Sequence, residues 1–368
     1  MLLPEKTESV LLINGRPIKE ASPESLWRKN NEAAILDFTV PQKTYRSLVG
    51  IGIGFRQGDI IELYVGLGTA QQRIFYGYLP ATLSDHDLDE SNSLLHITAS
   101  DFIGQFADRH ITLGDSSSSF LNPIGQEIGG FVASLVQTVI DSQIGVAPAF
   151  SMQGIKGTNP SQVVTADNAL LGSATAKSFV DSYTQLAFDD SSYPDAPLLY
   201  EYHQRDQYFI WRKQTSLIPG KESFILTLGK DAILSGIVST KPIYTDAIAI
   251  GKTSDARWTQ SDRDSARRWG GRRFWAGIQT QSSFQSDAYA DAVRQVELFK
   301  NERISFGLTT MREPFLLYPG DLVRIDSGES VGIASIKYRV AEVKTRFFPA
   351  IRTDIVVGDQ ARLLSDYF

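Results

Sequence analysis

Cysteine is absent from the 368 residues of this chain. Disulfide bonds, thiolate metal sites and thiol nucleophiles are therefore excluded, and the sequence carries no indication of the redox compartment. Because no covalent cross-link is available, the fold must be held together by packing alone.

Long apolar runs are also absent. The longest mainly apolar stretch, residues 128–140, is far shorter than the roughly 18 residues that a helix needs to cross the hydrocarbon core of a membrane. The first residues, MLLPEK, lack the basic start and apolar run of a secretory signal. We therefore expect no membrane span and no Sec-type export, which leaves the cytoplasm as the place of assembly.

The chain has no excess of basic charge. Its formal net charge is −6 and its isoelectric point is near 5.4, which argues against a protein whose main task is to grip phosphate backbones. A content of 42% hydrophobic and 21% charged residues is typical of a folded soluble protein. An 11% aromatic share favours sheets and subunit interfaces.

Short apolar runs separated by turn residues dominate the first third of the chain. They cover residues 10–13, 34–40, 60–65, 73–78 and 93–99. This spacing predicts a meandering antiparallel sheet with enough strands to curl into a small barrel or sandwich. A small polar segment at residues 114–119 marks its end.

Helical spacing replaces the alternation after this segment. Apolar residues at 128–139 and at 179–187 predict two helices, the second with Ser173 or Thr175 as its capping candidate. A hairpin then follows over residues 198–211, and residues 287–302 predict an amphipathic helix. Strands are predicted again from residue 223 and in the tail from 304 to 357.

These patterns predict a mainly β fold with an α+β middle. We expect four regions: a first antiparallel β domain, a barrel or sandwich, at 1–112, an α+β middle domain at 113–220, a second β domain formed by 221–256 and 304–368, and an arginine-rich, helical insertion at 257–303.

Two distant segments share one pattern, in which a Gly-Asp turn opens a strand of alternating apolar residues. The turns are Gly58-Asp59 and Gly320-Asp321. Eighteen residues after each glycine stands a tyrosine, Tyr76 or Tyr338, so we expect the next strand to keep the same register in both copies. Coincidence is one interpretation, because such turns are common. The other is a duplicated barrel, in which three copies of the chain would form a ring of six similar units.

At these residues the sequence resembles phage tail baseplate hub proteins, the late control protein D family and the base of type VI secretion spikes. The supporting segments are 74–78, 94–102, 287–300 and 315–322. The resemblance implies two tube-like barrels flanking α+β material, an insertion in the later barrel, and a homotrimer around an axial channel.

The candidate chemical motifs do not support an enzyme. The acidic run at residues 85–90 has alternating carboxylates, but Glu90 and His96 stand where a calcium loop needs glycine and glutamate, which favours a solvated turn. Its alternative is a weak divalent-ion site. His86, His96, His110 and His203 have no zinc spacing, and residues 50–54 lack the context of a phosphate loop. We expect no catalytic residue, no metal and no cofactor.

One segment combines arginine with tryptophan. The candidate interface residues are Arg267, Arg268, Trp269, Arg272, Arg273 and Trp275. Both residue types anchor protein interfaces and also bind nucleic acid. Because Asp255, Asp262 and Asp264 reduce the local charge, we favour a subunit or partner interface.

The resemblance implies a structural role in the virion, at the tail tip, after assembly in the host cytoplasm. The expected partners are further copies of the chain, a tail tube or distal tail protein, a tape-measure protein and a central spike or tail fibre, with DNA passing through the channel without specific binding. The alternatives are a distal tail or receptor-binding adhesin and, less favoured, a tail-tip peptidoglycan hydrolase.

Overall fold

The computed structural model describes the chain in the following ranges of residues. They are 8–50, 55–67, 70–80, 88–89, 94–114, 121–141, 151–152, 163–164, 169, 171–189, 198–213, 224–240, 244–268, 270–279, 283, 285–299, 304–310, 316–326, 337–348 and 350–358. Strands predominate among them and helices are few, which confirms the predicted mainly β fold class.

The N-terminal region is built of short strands and one helix. Its elements are β1 (Glu8–Ile13), β2 (Arg16–Pro17), β3 (Ser22–Lys29), β4 (Ile35–Pro41), α1 (Gln42–Gly50), β5 (Ile60–Leu67), β6 (Ala70–Tyr78), β7 (Leu88–Asp89) and β8 (Leu94–Asp101). Alternate residues of β4 and β8 point into one core, which includes Leu36, Phe38, Ile97 and Ala99. The predicted strands are present, whereas β3 and α1 were not predicted.

The middle region mixes helices with a hairpin. Its elements are α2 (Gly104–Asp108), β9 (His110–Leu113), α3 (Ile128–Asp141), β10 (Ser151–Met152), β11 (Gly172–Thr175), α4 (Ala176–Leu186), β12 (Phe188–Asp189), β13 (Leu198–Arg205) and β14 (Tyr208–Lys213). Thr175 is the N-cap of α4, and its hydroxyl accepts from the Ser178 amide at 3.1 Å. Phe131 of α3 meets Tyr183 of α4 edge to face, which joins the two helices in one core.

The C-terminal region returns to strands. Its elements are β15 (Phe224–Thr227), β16 (Ala232–Thr240), β17 (Asp246–Ile250), β18 (Arg257–Ser261), α5 (Arg263–Arg268), β19 (Trp275–Gln279), α6 (Gln285–Phe299), β20 (Ile304–Thr310), β21 (Leu322–Asp326), β22 (Lys337–Arg346) and β23 (Arg352–Val357). The helix predicted at 287–302 is therefore α6, which begins and ends slightly earlier.

One 14-stranded sheet contains two blocks of strands with the same internal order. The first block runs β3-β4-β8-β6-β5, and the second runs β16-β20-β23-β22-β21. In chain order both blocks read first, second, fifth, fourth, third. The blocks join where β22 pairs with β3, so the second block continues directly into the first.

The Gly-Asp turn of the first block has a specific set of hydrogen bonds. The Gly58 amide donates to the Leu79 carbonyl at 2.9 Å, and the Leu79 amide donates to the Asp59 carbonyl at 3.0 Å. The Asp59 amide donates to the Arg56 carbonyl at 3.0 Å, and the Asp59 carboxylate accepts from the Arg56 amide at 2.7 Å. Gly58 has a φ of 89°, which favours glycine.

The turn of the second block repeats all four bonds. The Gly320 amide donates to Val340 at 2.6 Å, and the Val340 amide donates to Asp321 at 2.9 Å. The Asp321 amide donates to Tyr318 at 3.0 Å, and the Asp321 carboxylate accepts from the Tyr318 amide at 3.0 Å. Gly320 has a φ of 83°. The two turns are therefore equivalent in conformation and bonding.

The expected strand register after these turns is wrong by one residue. Tyr338 lies opposite Val323, and the residue in the same place of the first block is Gly77, opposite Ile61. The first block has one more residue in this stretch, and a bulge between Leu63 and Tyr64 shows where its register shifts.

The two blocks also differ at their margins. β6 and β7 together take the place of the single strand β22, because Leu88 pairs with Leu95 as Thr345 pairs with Thr353. The strand next to β5 is the antiparallel β1, whereas the strand next to β21 is the parallel β15. Among the described residues neither block closes on itself, so the expected closed barrels are not observed and each block is an open sheet.

The connection between β16 and β20 forms a separate unit, which we call the insertion sheet. β17 lies at its centre, antiparallel to β18 and parallel to β19. Residues 246–250 lie in the range predicted for the second barrel, but β17 pairs only with these two strands in the described chain. α6 packs on one face through small residues, which are Ala247, Ala249, Ala276, Ala288, Ala292 and Val296.

Candidate interaction surfaces and the buried junction

The joint between the blocks is an antiparallel pairing of β22 with β3. Its register runs from Glu342 opposite Lys29 to Arg346 opposite Ser25. A side-chain bond reinforces the ladder, because Trp27 Nε1 donates to Glu342 Oε1 at 2.7 Å. A block can therefore dock on another block by strand addition along this edge.

A buried arginine lies beside this joint. Arg28, on β3, is 3% exposed, and its guanidinium donates to the Leu317 carbonyl at 3.3 Å and to the Ile74 carbonyl. The guanidinium carbon lies 4.4 Å from the centre of the Tyr318 ring, and that of Arg205 lies 4.5 Å from the same centre. Burial lowers the pKa of Arg28, while these contacts tie β3 to residues of both blocks.

The hairpin of the middle region is fixed to the second block by ion pairs. Glu201 is fully buried, and its carboxylate lies 3.3 Å from Arg212 Nε and 2.5 Å from an Arg339 nitrogen. Arg205 contacts the Asp321 carboxylate at 3.4 Å. Asp321 therefore closes its own turn and also binds the hairpin. We call the cluster of Glu201, Arg205, Arg212, Asp321 and Arg339 the buried junction.

Two further ionisable groups of the junction are perturbed. Burial, followed by the charges of nearby arginines, holds the pKa of His203 well below its usual value, and neither ring nitrogen has a hydrogen-bond partner among the described residues. Burial raises the pKa of Asp101 to about 7. Since Asp101, Glu201 and His203 are at most 2% exposed, these groups are closed to a substrate and serve packing and orientation.

The outer edge of the second block is an exposed strand. β16 pairs with β20 and, among the described residues, with no other strand. Ile233 of β16 is 69% exposed. An unpaired strand edge that carries an exposed isoleucine is a surface suited to another chain.

The candidate interface residues of the insertion are mostly at the surface. Arg272, Arg273 and Trp275 are exposed, with Trp275 half exposed at the start of β19, and Arg273 reaches the buried Asp246 at 3.9 Å. Arg267, on α5, forms an exposed pair with Asp264 at 3.4 Å. Arg268 belongs to α5, but its side chain lies outside the described residues, as does the whole of Trp269.

The described residues of the other candidate motifs form no site. Of the acidic run, residues 85–87 and 90 lie outside the described residues, as do residues 51–54 of the glycine-rich segment. His96 is exposed, 3.5 Å from Glu24, and His203 is buried in the junction. No group of three metal-binding side chains occurs in the part of the chain that the structure describes. No described helix has the length and apolarity of a membrane span.

Sequence comparisons identify no relatives: no family model matches the chain, and no curated protein matches it. Solved structures do. A tail protein from Neisseria meningitidis superimposes with a TM-score of 0.61 at 10% identity, covering 96% of this chain and 97% of that one. A 43 kDa tail protein of prophage MuSo2 from Shewanella oneidensis gives 0.60 at 15% identity, covering 95% and 97%. A chain of the Francisella PdpA–VgrG complex gives 0.51 at 11% identity, covering 98% of this chain and 53% of that one.

The fold is therefore that of phage tail proteins, and it extends over nearly the whole chain. A chain of the Francisella PdpA–VgrG complex has the same fold in 53% of its own length. The resemblance drawn from the sequence is confirmed at the level of the fold.

Proposed function

We propose that this chain is a structural hub of a phage tail baseplate, or of a related contractile injection machine. Three copies form a ring that joins a sixfold tail tube to a threefold spike or fibre. Its channel holds the end of the tape-measure protein and then passes DNA. In this role the chain is a non-enzymatic component of the virion tail tip.

The observation that carries the proposal is the repeated strand order with its two equivalent turns. Two like blocks in one chain allow three chains to present six similar units. The fold shared with phage tail proteins supports the setting. We further propose that the four regions expected from the sequence are the domains of the hub, with β17 assigned to the insertion rather than to the second block.

The internal joint suggests how neighbouring chains meet. β3 is the outermost strand in the order of the first block, and β16 is the outermost strand in that of the second. Likewise, β7 of the first block corresponds to the end of β22 in the second. Because β3 docks on β22 within the chain, β16 of one chain is proposed to dock beside β7 of the next. Each chain then contributes one internal joint and one intermolecular joint, and the ring closes after three chains.

The first test is the mass of the purified protein in solution. Sedimentation equilibrium should give three times 40.7 kDa, and averaged electron micrographs should show a ring with threefold symmetry and six similar lobes. Replacement of the exposed Ile233 by glutamate should yield a folded monomer, whereas glutamate at the exposed Thr112 of β9 should leave the trimer intact. A wild-type protein that stays monomeric at tens of micromolar would overturn the proposal.

The partners provide the second test. A hub should co-purify with tube and tape-measure proteins from cells that assemble the tail. Binding of the isolated chain to host cells without those partners would favour an adhesin instead. A clearing band on a cell-wall zymogram would favour a hydrolase, provided that replacement of one carboxylate abolished it.

A further inference from the structure

The insertion sheet has one face that no described element covers. α6 packs on the opposite face, so the residues alternating with Ala247 and Ala249 point away from the helix. The register places Ile248 between Thr259 and Gly277, and Ile250 between Arg257 and Gln279. Trp275 is half exposed and Ile250 is 44% exposed, so this face presents apolar side chains among polar ones, and we call it the open face.

Arginines lie at both ends of the open face. Residues 257–273 contain six arginines and two aspartates, a formal charge of 6 − 2 = +4. Arg257 lies beside Ile250 at one end, and Arg273 reaches Asp246 at the other. Arg257, Arg263 and Arg272 are exposed and form no ion pair with a described residue. A matching partner is therefore acidic, with an apolar side chain among its carboxylates.

The chain itself contains such a segment. Residues 85–90 read Asp-His-Asp-Leu-Asp-Glu, which carries four carboxylates, a formal charge of −4 with histidine neutral, and one leucine. Of these residues the structure describes Leu88 and Asp89, which form β7 and pair with Leu95 and Leu94 of β8. The two described residues of the acidic run therefore lie beside β8 of the first block.

The proposed joint would bring the two segments to the same place. The insertion leaves the second block after Thr240 at the end of β16 and returns at Ile304. In the internal joint, the residue of β3 that corresponds to the end of β16 is Lys29, and it pairs with Glu342. Glu342 stands a few residues before the part of β22 that corresponds to β7. At a joint between chains, the end of β16 would therefore meet the residues that precede Leu88.

We propose that the open face of the insertion sheet binds the acidic run 85–90 of the adjacent copy. This inference rests on the proposed ring and adds a charged clasp to its intermolecular joint. The clasp closes only between chains, because the insertion follows β16, whereas β3, which takes the place of β16 in the internal joint, is followed directly by β4. It would therefore select the correct joint during assembly.

Because the wild-type chain has no cysteine, one engineered pair gives an unambiguous cross-link. The test variant combines Gly277→Cys with Asp87→Cys, since a side chain at Gly277 meets no atom within 4 Å and lies on the open face. The control combines Tyr289→Cys, exposed on α6, with Asp87→Cys. Mild oxidation should produce covalent trimers and dimers from the test variant and monomers from the control.

Charge reversal gives an independent readout. Arg257→Glu with Arg272→Glu should raise the dissociation constant of the trimer by about tenfold, as expected for two exposed ion pairs with few other contacts. Adding Asp85→Arg and Asp87→Arg to that chain should restore most of the affinity. Arg16→Glu with Lys19→Glu, an equal reversal on the exposed surface of the first block, should leave assembly unchanged.

The outcomes separate the two proposals. A monomeric wild-type protein would refute both the ring and the clasp. A wild-type trimer whose test variant gives no covalent oligomer, or only a disulfide within one chain, would refute the clasp and leave the ring standing. The clasp would also be refuted if Arg257→Glu with Arg272→Glu abolished binding of a labelled single-stranded oligonucleotide while trimer affinity stayed the same, because the open face would then serve nucleic acid.

Discussion

The indole nitrogen of Trp27 donates a hydrogen bond to Oε1 of Glu342 at 2.7 Å, although the two residues are 315 positions apart. Trp27 lies on β3 and Glu342 on β22, so this bond crosses the joint between the two blocks. Backbone pairing alone fixes the distance between two strands. A directed side-chain bond also fixes their register, because a slip of one residue would turn one partner to the other face.

Removing the acceptor should weaken the joint. Glu342→Ala leaves the half-buried indole N–H without its charged partner, so we expect the free energy of unfolding to fall by about 1–2 kcal/mol. Glu342→Gln keeps an acceptor oxygen and should lose clearly less. Urea denaturation measures both, and equal losses for the two variants would show that the hydrogen bond does not matter.

The two equivalent glycines should respond differently to alanine. Gly58→Ala forces a side chain into a positive φ in open space, with an expected cost of roughly 1–2 kcal/mol. Gly320→Ala imposes the same strain and also drives its methyl group into Arg212 and Glu201 of the buried junction. We expect its loss of unfolding free energy to exceed that of Gly58→Ala by at least twofold. Similar losses in urea melts would contradict the asymmetry between the turns.

The carboxylate at the centre of the junction should be essential for stability. Glu201→Gln leaves Arg212 and Arg339 buried without an anion, and breaking such an arrangement costs roughly 3–5 kcal/mol. The matched control is Asp264→Asn, which breaks an exposed pair with Arg267 and should change stability by less than about 1 kcal/mol. If thermal unfolding showed the two variants to be equally stable, the ion pairs of the junction would not hold the hairpin.

The sequence predicts those elements whose conformation is determined by interactions between residues close together in the chain. The Gly-Asp turns are visible because a positive φ needs glycine and because the aspartate accepts its own turn amide. The α4 cap at Thr175 and the apolar spacing of α3 are likewise local. In each case the residues that form the element also determine its conformation.

Tertiary context decides the parts that were wrong or not predicted. β3 contains Pro23, Glu24 and the buried Arg28, so its sequence lacks the alternation of apolar and polar residues that indicates a strand. Arg28 can be buried there because the Tyr318 ring packs against its guanidinium. The register error falls in the stretch that contains the bulge after Leu63, and a bulge of this kind leaves no mark in the composition. The boundary of the insertion depends on which strand β17 pairs with, and the sequence of β17 suits either sheet.

The buried Asp101 should make stability fall as the pH rises. Its pKa is raised to about 7 in the folded chain because burial disfavours the charged form, whereas an unfolded aspartate titrates near 4. Below pH 4 both states are protonated and the full contribution is present. Between about pH 4 and 7 the unfolded state ionises while the folded state keeps its proton, so this group favours unfolding increasingly until the pH passes 7.

Asp101→Asn isolates this contribution, because the amide oxygen can still accept from the Ile103 amide, which lies 3.1 Å from the carboxylate, while no charge forms. The wild type should lose stability relative to this variant by up to roughly 4 kcal/mol between pH 4 and 7.5, since three pKa units correspond to about that free energy. Other groups, including His203, titrate in both proteins and cancel in the difference. Urea melts at half-unit pH steps measure it. A difference that is flat across the range would mean that Asp101 ionises normally, and one of opposite slope would mean that Arg28, rather than burial, dominates its environment.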